Sequence, residues 1–254
     1  METHANDLHN IPGKGWKHYF FEFFMLFLAV SLGFYAENLR EEIKHEEEIK
    51  NNMRTMLADL QSDVTLFDSV MGKNEFSSMM ADSLLYLLEQ EKNNTPAIYH
   101  AARIVTANVG YYFSNSKTFD QLRTSGLIKL IIPKSLADSI ANYYVSFQWI
   151  ANQTELLRLK LDQLHKGNYE LFDGFVFNEM MKIKYGTFKE KHSYINWPKG
   201  HPDLLTKDYT KINAVVLNYH YFSATSKFYN QTALSQKQMA ERLWKQIIEA
   251  YPKE

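Results

Sequence analysis

The chain has 254 residues, 45% of them apolar and 15% aromatic, with a formal net charge of −1. That composition supplies a sizeable core and gives no electrostatic ground for a nucleic-acid partner. No cysteine is present, which excludes disulfides, thiolate metal sites, iron–sulfur clusters and cysteine nucleophiles.

Residues 1–15 read as a short polar tail. Gly13-Lys14-Gly15 is not a phosphate loop, because the spacing is wrong and no Ser or Thr follows the Lys. Tyr19–Ala36 (YFFEFFMLFLAVSLGFYA) is the one stretch apolar enough to leave water. Its eighteen residues, as a helix, span roughly 27 Å, close to the roughly 30 Å of a bilayer's hydrocarbon core. Trp16 and Tyr19 flank one end and Tyr35 the other, where an aromatic belt places them. A transmembrane anchor over 16–36 is predicted, with the lipid bilayer as its partner through Tyr19–Ala36. A cleaved signal peptide fits the preceding Lys14 and Lys17, but SLGFYAEN offers no small-x-small cleavage site. An interfacial helix conflicts with Phe23–Leu28, which is apolar on every side. Glu22 is the costly residue, set about one turn from the end, where it can reach the interface or take a proton. Ala29-x-x-x-Gly33 is a small pair of the kind that lets two spans approach, and it is common by chance. Lys14 and Lys17 argue for an N-terminus in the cytoplasm; Arg40, Lys44 and Lys50 argue the other way, but they begin a long domain, and long domains translocate largely regardless of charge. The expected location is the inner (cytoplasmic) membrane, single-pass, with the C-terminal domain periplasmic.

From Glu37 to Met71 there is no Pro or Gly. Ile49, Met53, Met56, Leu60, Val64, Phe67 and Met71 recur at steps of 3 and 4 with one slip, so the anchor is expected to continue into a long helix. The run EEIKHEEEIK reads as a solvated face, with Glu46 and Lys50 placed to pair at i, i+4. Gly72 is a candidate stop or bend. A second helix is expected over about 74–91, carrying Phe76, Met80, Leu84, Leu87 and Leu88.

Thr95-Pro96 predicts a helix start, running to about Ala107. Residues 108–115 (NVGYYFSN) read as an aromatic loop. Ser116 opens a helix over Lys117–Thr124 that Gly126 closes. Leu127–Ile132 is too short to classify. Pro133 opens the clearest helix: Leu136, Ile140, Tyr143, Phe147, Ile150, Thr154, Leu157, Leu161 and Leu164 alternate steps of 4 and 3. Gly167 or Gly174 is its expected end. Residues 175–205 read as short helices and loops, without convincing strand alternation. The last helix is predicted over about 203–251, with Ile212, Val216, Tyr219, Phe222, Ser226, Tyr229, Ala233, Gln236, Ala240, Leu243 and Ile247 on one side.

The fold class expected is all-α: an N-terminal transmembrane helix continuing into a long helix, followed by an antiparallel helical bundle. The divisions are a tail (1–15), an anchor (16–36) and a helical soluble domain (37–254). Within the last, 37–91 are stalk helices, 92–132 a short-helix cap and 133–254 long bundle helices with a loop-rich insert at 168–205.

Chemistry is sparse. His45 has no second His four residues on, and nothing ties His192, His201 and His220 together. Asp59, Asp63 and Glu75 read as solvated carboxylates on polar faces. No hydrolase, kinase, Walker or dinucleotide fingerprint occurs. Tyr111, Tyr112 and Phe113 read as cap packing, or alternatively as the floor of a ligand pocket. No catalytic, cofactor or metal residue is assigned, no cofactor is implied, and the chain is not read as an enzyme.

Two stretches, FFEFFMLFLAVSLGFYAENLREE (20–42) and KTFDQLRTSGLIKLI (117–131) with the following SLADSIANYY (135–144), resemble a family of uncharacterised single-span membrane proteins from Bacteroidetes-type bacteria, a domain of unknown function. The resemblance implies an anchor and a helical domain, and no activity or site residues. Where such proteins carry an Asn-Asn-Trp-like collar, this chain has Glu37-Asn38-Leu39. The expected function is that of a membrane-anchored helical interaction or scaffold protein of the bacterial envelope, without catalysis, with a protein partner or a homo-oligomer. The alternative is an extracytoplasmic ligand- or stress-sensing module acting through a partner.

Overall fold

A computed structural model describes residues 15–183 and 193–252. The polar tail before Gly15, Gly186 and His192 lie outside the described residues. The protein is all-α. Among the described residues six helices follow one another: α1 (Trp16–Gln90), α2 (Thr95–Ala107), α3 (Lys117–Thr124), α4 (Lys134–Leu171), α5 (Gly174–Met180) and α6 (Tyr209–Ala250). A 3₁₀ turn, Leu127–Leu130, links α3 to α4. The chain divides into two compact units, one through Asn51 and one from Asn52 on.

In the first unit, Trp16–Tyr35 exposes its large apolar side chains almost throughout; Phe23, Met25, Leu26 and Phe34 are each about two-thirds exposed. This is one helix near the N-terminus long and apolar enough to cross a membrane, a property that a signal sequence shares. His18 Nε2 lies 3.9 Å from Glu22 Oε2, one turn back along the helix. The pairing expected of Glu46 and Lys50 is present at 2.7 Å.

The second unit is built on three long helices. In α1 one buried row, with Asn52, Leu57 and Ser78 buried beside it, runs through Met53, Met56, Leu60, Asp63, Phe67, Val70, Asn74, Ser77, Ala81, Leu84 and Leu88. Their steps alternate 3 and 4 without a slip, because a helix of 3.6 residues per turn keeps one side toward its neighbours in that rhythm. Val64 and Met71, expected in the stripe, are only half-buried, and Phe76 is exposed. Gly72 neither stops nor divides the helix, so the separate helix expected over 74–91 is the end of α1. Gly72 is exposed, and its helical hydrogen bonds do not require a side chain.

In α4 every stripe position from Leu136 to Leu164 is buried except the half-buried Leu161, and the stripe runs on through Asn168 and Leu171. Neither Gly167 nor Gly174 ends the helix: it closes at Leu171, where the Phe172 N–H bonds the Asn168 carbonyl. Gly167 sits inside it, with Asn218 of α6 packed against its Cα side. α6 starts at Tyr209, later than expected, because Asp208 caps it by accepting from the N–H groups of Thr210 and Lys211. Its buried stripe begins at Val215 rather than at Ile212 or Val216.

α6 runs antiparallel to both other long helices. Against α1, Lys237 pairs with Asp68 (2.7 Å) and Lys227 with Asp82 (2.6 Å). Against α4, Gln236 bonds Ser146, Tyr219 bonds Asn168 and Lys211 pairs with Glu170. The insert after α4 holds a pairing not expected from its sequence. Met181–Ile183 (β1) and Ser193–Ile195 (β2) form an antiparallel pair with Met181 opposite Ile195. Tyr99 of α2 ties this region down: its hydroxyl accepts from the Asp173 N–H and donates to the Asp203 carbonyl.

Candidate functional site

The polar residues in the stripe of α1 have partners, and nearly all of those partners lie in the segment between α2 and α3. Asn74 donates to the Gly110 carbonyl (3.1 Å) and accepts from the Gly110 N–H (2.8 Å). Ser77 donates to the Asn108 carbonyl. Asp59 accepts from Asn115 (2.8 Å) and from the Thr118 hydroxyl. The segment 108–118 has few backbone bonds of its own, and α1 supplies side-chain partners in their place. Gly110 suits this approach: a Cβ there would lie 3.2 Å from Val70 Cα and 3.3 Å from Val70 O, close enough to press on the Val70 backbone.

Asp63 is the centre of the arrangement. It is 2% exposed. The Tyr112 hydroxyl donates to one carboxylate oxygen (2.8 Å) and the Tyr143 hydroxyl of α4 donates to the other (2.7 Å). The Tyr112 ring stacks on Phe67 at 4.1 Å, and its backbone N–H donates to the Tyr229 hydroxyl of α6. One residue of the loop therefore touches all three long helices. Burial pushes the Asp63 carboxyl above its ordinary range, against the opposing effect of the two tyrosine hydrogen bonds, and the nearby Asp59 charge adds to the rise. Burial, then the Asp63 charge, raises the phenols of Tyr112 and Tyr143 far above theirs. Both tyrosines stay protonated and act as hydrogen-bond donors to Asp63.

The expectation that Asp63 is solvated is wrong, since it is buried and fully bonded. Asp59 is half-buried, and Glu75 is exposed as expected. Among the described residues no group of three His, Asp or Glu side chains is placed to hold a metal ion. His201 and His220 are exposed and His45 half-buried.

Tyr112 also walls an open cleft of about 360 Å³, with Phe113, Phe147 and Ile150 as its apolar surface and Gln148, Asn152 and Glu155 at its rim. Along α4, the Gln148 side-chain amide donates to Asn152 Oδ1 one turn on (3.0 Å). Phe113 is 69% exposed.

These features define an all-α protein with one apolar N-terminal helix and a unit built on three long helices, whose loop is locked on a buried acid. No family model matches the chain, and no curated protein or solved structure matches it either.

Proposed function

We propose that this is a membrane-anchored helical interaction protein of the bacterial envelope, acting without catalysis by contact of its helical unit with another protein. One observation supports it best. α4 carries a second apolar row, Val145, Trp149, Leu156 and Leu159, which is exposed along the side opposite its core. An apolar row at helical spacing, left uncovered on a folded unit, is the form that helix-to-helix contacts take. The candidate span at Tyr19–Ala36 supports membrane attachment, and the buried Asp63, Asn74 and Ser77 are engaged in holding the loop.

The experiment is fractionation and crosslinking of the full chain in its membrane. Alkaline carbonate is expected to leave the protein in the pellet; release of intact protein removes the anchor. Trp149→Glu with Leu159→Glu is expected to abolish crosslinked species while near-UV circular dichroism is retained. Unchanged crosslinking refutes the contact. A reporter fused after Glu254 should be active only as a periplasm-competent one. A second reading, ligand sensing, draws on the cleft at Tyr112 and Phe113, and saturable protection of Phe113→Cys by a small apolar compound would favour it.

A further inference from the structure

The 4-3 rhythm of α4 occurs on it twice. Moving two positions along from the core residues Tyr143 to Leu161 gives Val145, Trp149, Asn152, Leu156, Leu159 and Gln163, turned about 200° from the core side. Val145, Trp149, Leu156 and Leu159 are 70, 68, 38 and 51% exposed. In heptad terms Trp149, Leu156 and Gln163 take position a, and Val145, Asn152 and Leu159 take position d. The flanking g positions are then Gln148, Glu155 and Asp162, and the e positions are Ser146, Gln153 and Lys160.

Those flanks distinguish one partner orientation from another. Two copies of α4 set side by side, parallel and in register, bring each g residue to the e residue five positions on in the other copy. Glu155 then meets Lys160, and Gln148 meets Gln153. An antiparallel pair centred on the same row sets Glu155 against Glu155 and Gln148 against Asp162, with no acid–base match. Both members of the favourable pair are available. Among the described residues the ion pair of Glu155 is with Arg158 of its own helix, at 3.7 Å with both side chains exposed. Lys160 bonds Gln163 and lies over the Tyr221 ring, and among the described residues it forms no ion pair. Asn152, midway along the row, is the kind of buried polar layer that pins register in a helix pair, at some expense of stability.

We propose that the outer face of α4 binds a second copy of this chain, parallel and in register, with Glu155 of each copy opposite Lys160 of the other. This rests on the reading of the protein as an interaction module and names its partner. A row of about two heptads is short for association from dilute solution, and confining both copies to one membrane raises their effective concentration.

The chain has no cysteine, so introduced ones report without background. Leu159→Cys and Trp149→Cys, placed singly in the full chain and oxidised mildly in membranes, are each expected to link to themselves. Failure of both to self-link, with a mixed Trp149→Cys and Leu159→Cys link forming instead, overturns the parallel arrangement. Glu155→Lys is expected to cut the Leu159→Cys dimer at least about fivefold, and adding Lys160→Glu to restore it; no loss, or no restoration, overturns the charge pairing. A benzophenone side chain at Trp149 separates the two levels of the claim. An adduct at twice the chain mass supports self-pairing. An adduct only at another mass overturns the second-copy proposal and leaves the interaction reading standing. No adduct at any mass, from protein that keeps its near-UV dichroism, overturns both.

Discussion

Replacing Asp63 by Ala removes the acceptor for two buried phenolic hydroxyls, those of Tyr112 and Tyr143, at 2.8 and 2.7 Å. A buried donor left without a partner costs about 1–3 kcal/mol, so the pair amounts to about 2–6 kcal/mol. Relief from burying a carboxylate offsets part of it, and a net loss of about 2–4 kcal/mol is expected. That is a large fraction of the roughly 5–15 kcal/mol that holds a domain folded. The assay is urea unfolding of the full chain in detergent, followed by near-UV dichroism from its tyrosines. A double-mutant cycle with Tyr143→Phe should show a coupling of about 1–3 kcal/mol, because once the donor is gone the acceptor matters less. Asp63→Asn retains one acceptor oxygen and should lose less than the Ala variant. A loss within about 0.5 kcal/mol for Asp63→Ala, the size expected at an exposed site, refutes the claim that this carboxylate holds the loop. Strict additivity with Tyr143→Phe refutes it equally.

Because burial raises the Asp63 carboxyl above 3.8, the folded chain holds a proton between that value and the raised one that the unfolded chain has released, so stability falls as pH rises through that window. Asp63→Asn lacks this component, so wild type should gain on it as pH is lowered toward 4 in the same urea assay. Asp82 has the opposite sign: burial raises its carboxyl, but bonds from Lys227 and Ser223 lower it further, so its contribution is present above 3.8 and is lost as pH falls. Asp82→Asn should therefore flatten the acid limb of the stability profile. Gly110→Ala forces a methyl against the Val70 backbone and should cost about 1–3 kcal/mol in thermal or urea unfolding. Gly72→Ala, with nothing within 4 Å, should instead stabilise by about 0.5–1 kcal/mol. Tyr229→Phe orphans the Tyr112 N–H, and faster amide exchange in 108–116 should report the loosened loop.

The helices were legible in the sequence where apolar residues mark every turn of the core side. α4 and most of α6 are such cases, and so is the first half of the stripe in α1. Misreadings arose where the core side is polar. Skipping Asp63 in favour of Val64 put a slip into an unbroken 3-4 rhythm, reading Gly72 as a stop or bend made a false second helix, and there Asn74 and Ser77 were passed over for Phe76. Holding the rhythm strictly would have placed Asp63, Asn74 and Ser77 inside and raised the question of what bonds them. Their partners, Tyr112, Tyr143 and the carbonyls of Asn108 and Gly110, lie 31 to 80 positions away, and nothing local in the sequence ties them together. The start of α6 was misplaced as well: the helix was begun at about residue 203, and the Asp208 cap five positions on was passed over.

The pairing of α1 with α6 has a consequence for how the molecule is made. Asp68 and Lys237 are 169 positions apart, and the hydroxyl that holds Tyr112 belongs to Tyr229, 117 positions later. A ribosome delivers α1 first and the helix that covers it last. Throughout translation of the intervening chain, Met53–Leu88 presents a row of apolar side chains with no finished neighbour, and closing so large a loop is slow. The nascent chain must be shielded over that interval, by a bilayer, a chaperone or an early contact with α4, or it will aggregate. Chains stopped before about residue 230 should then be degraded or precipitate, whereas chains stopped just after Ala250 should fold.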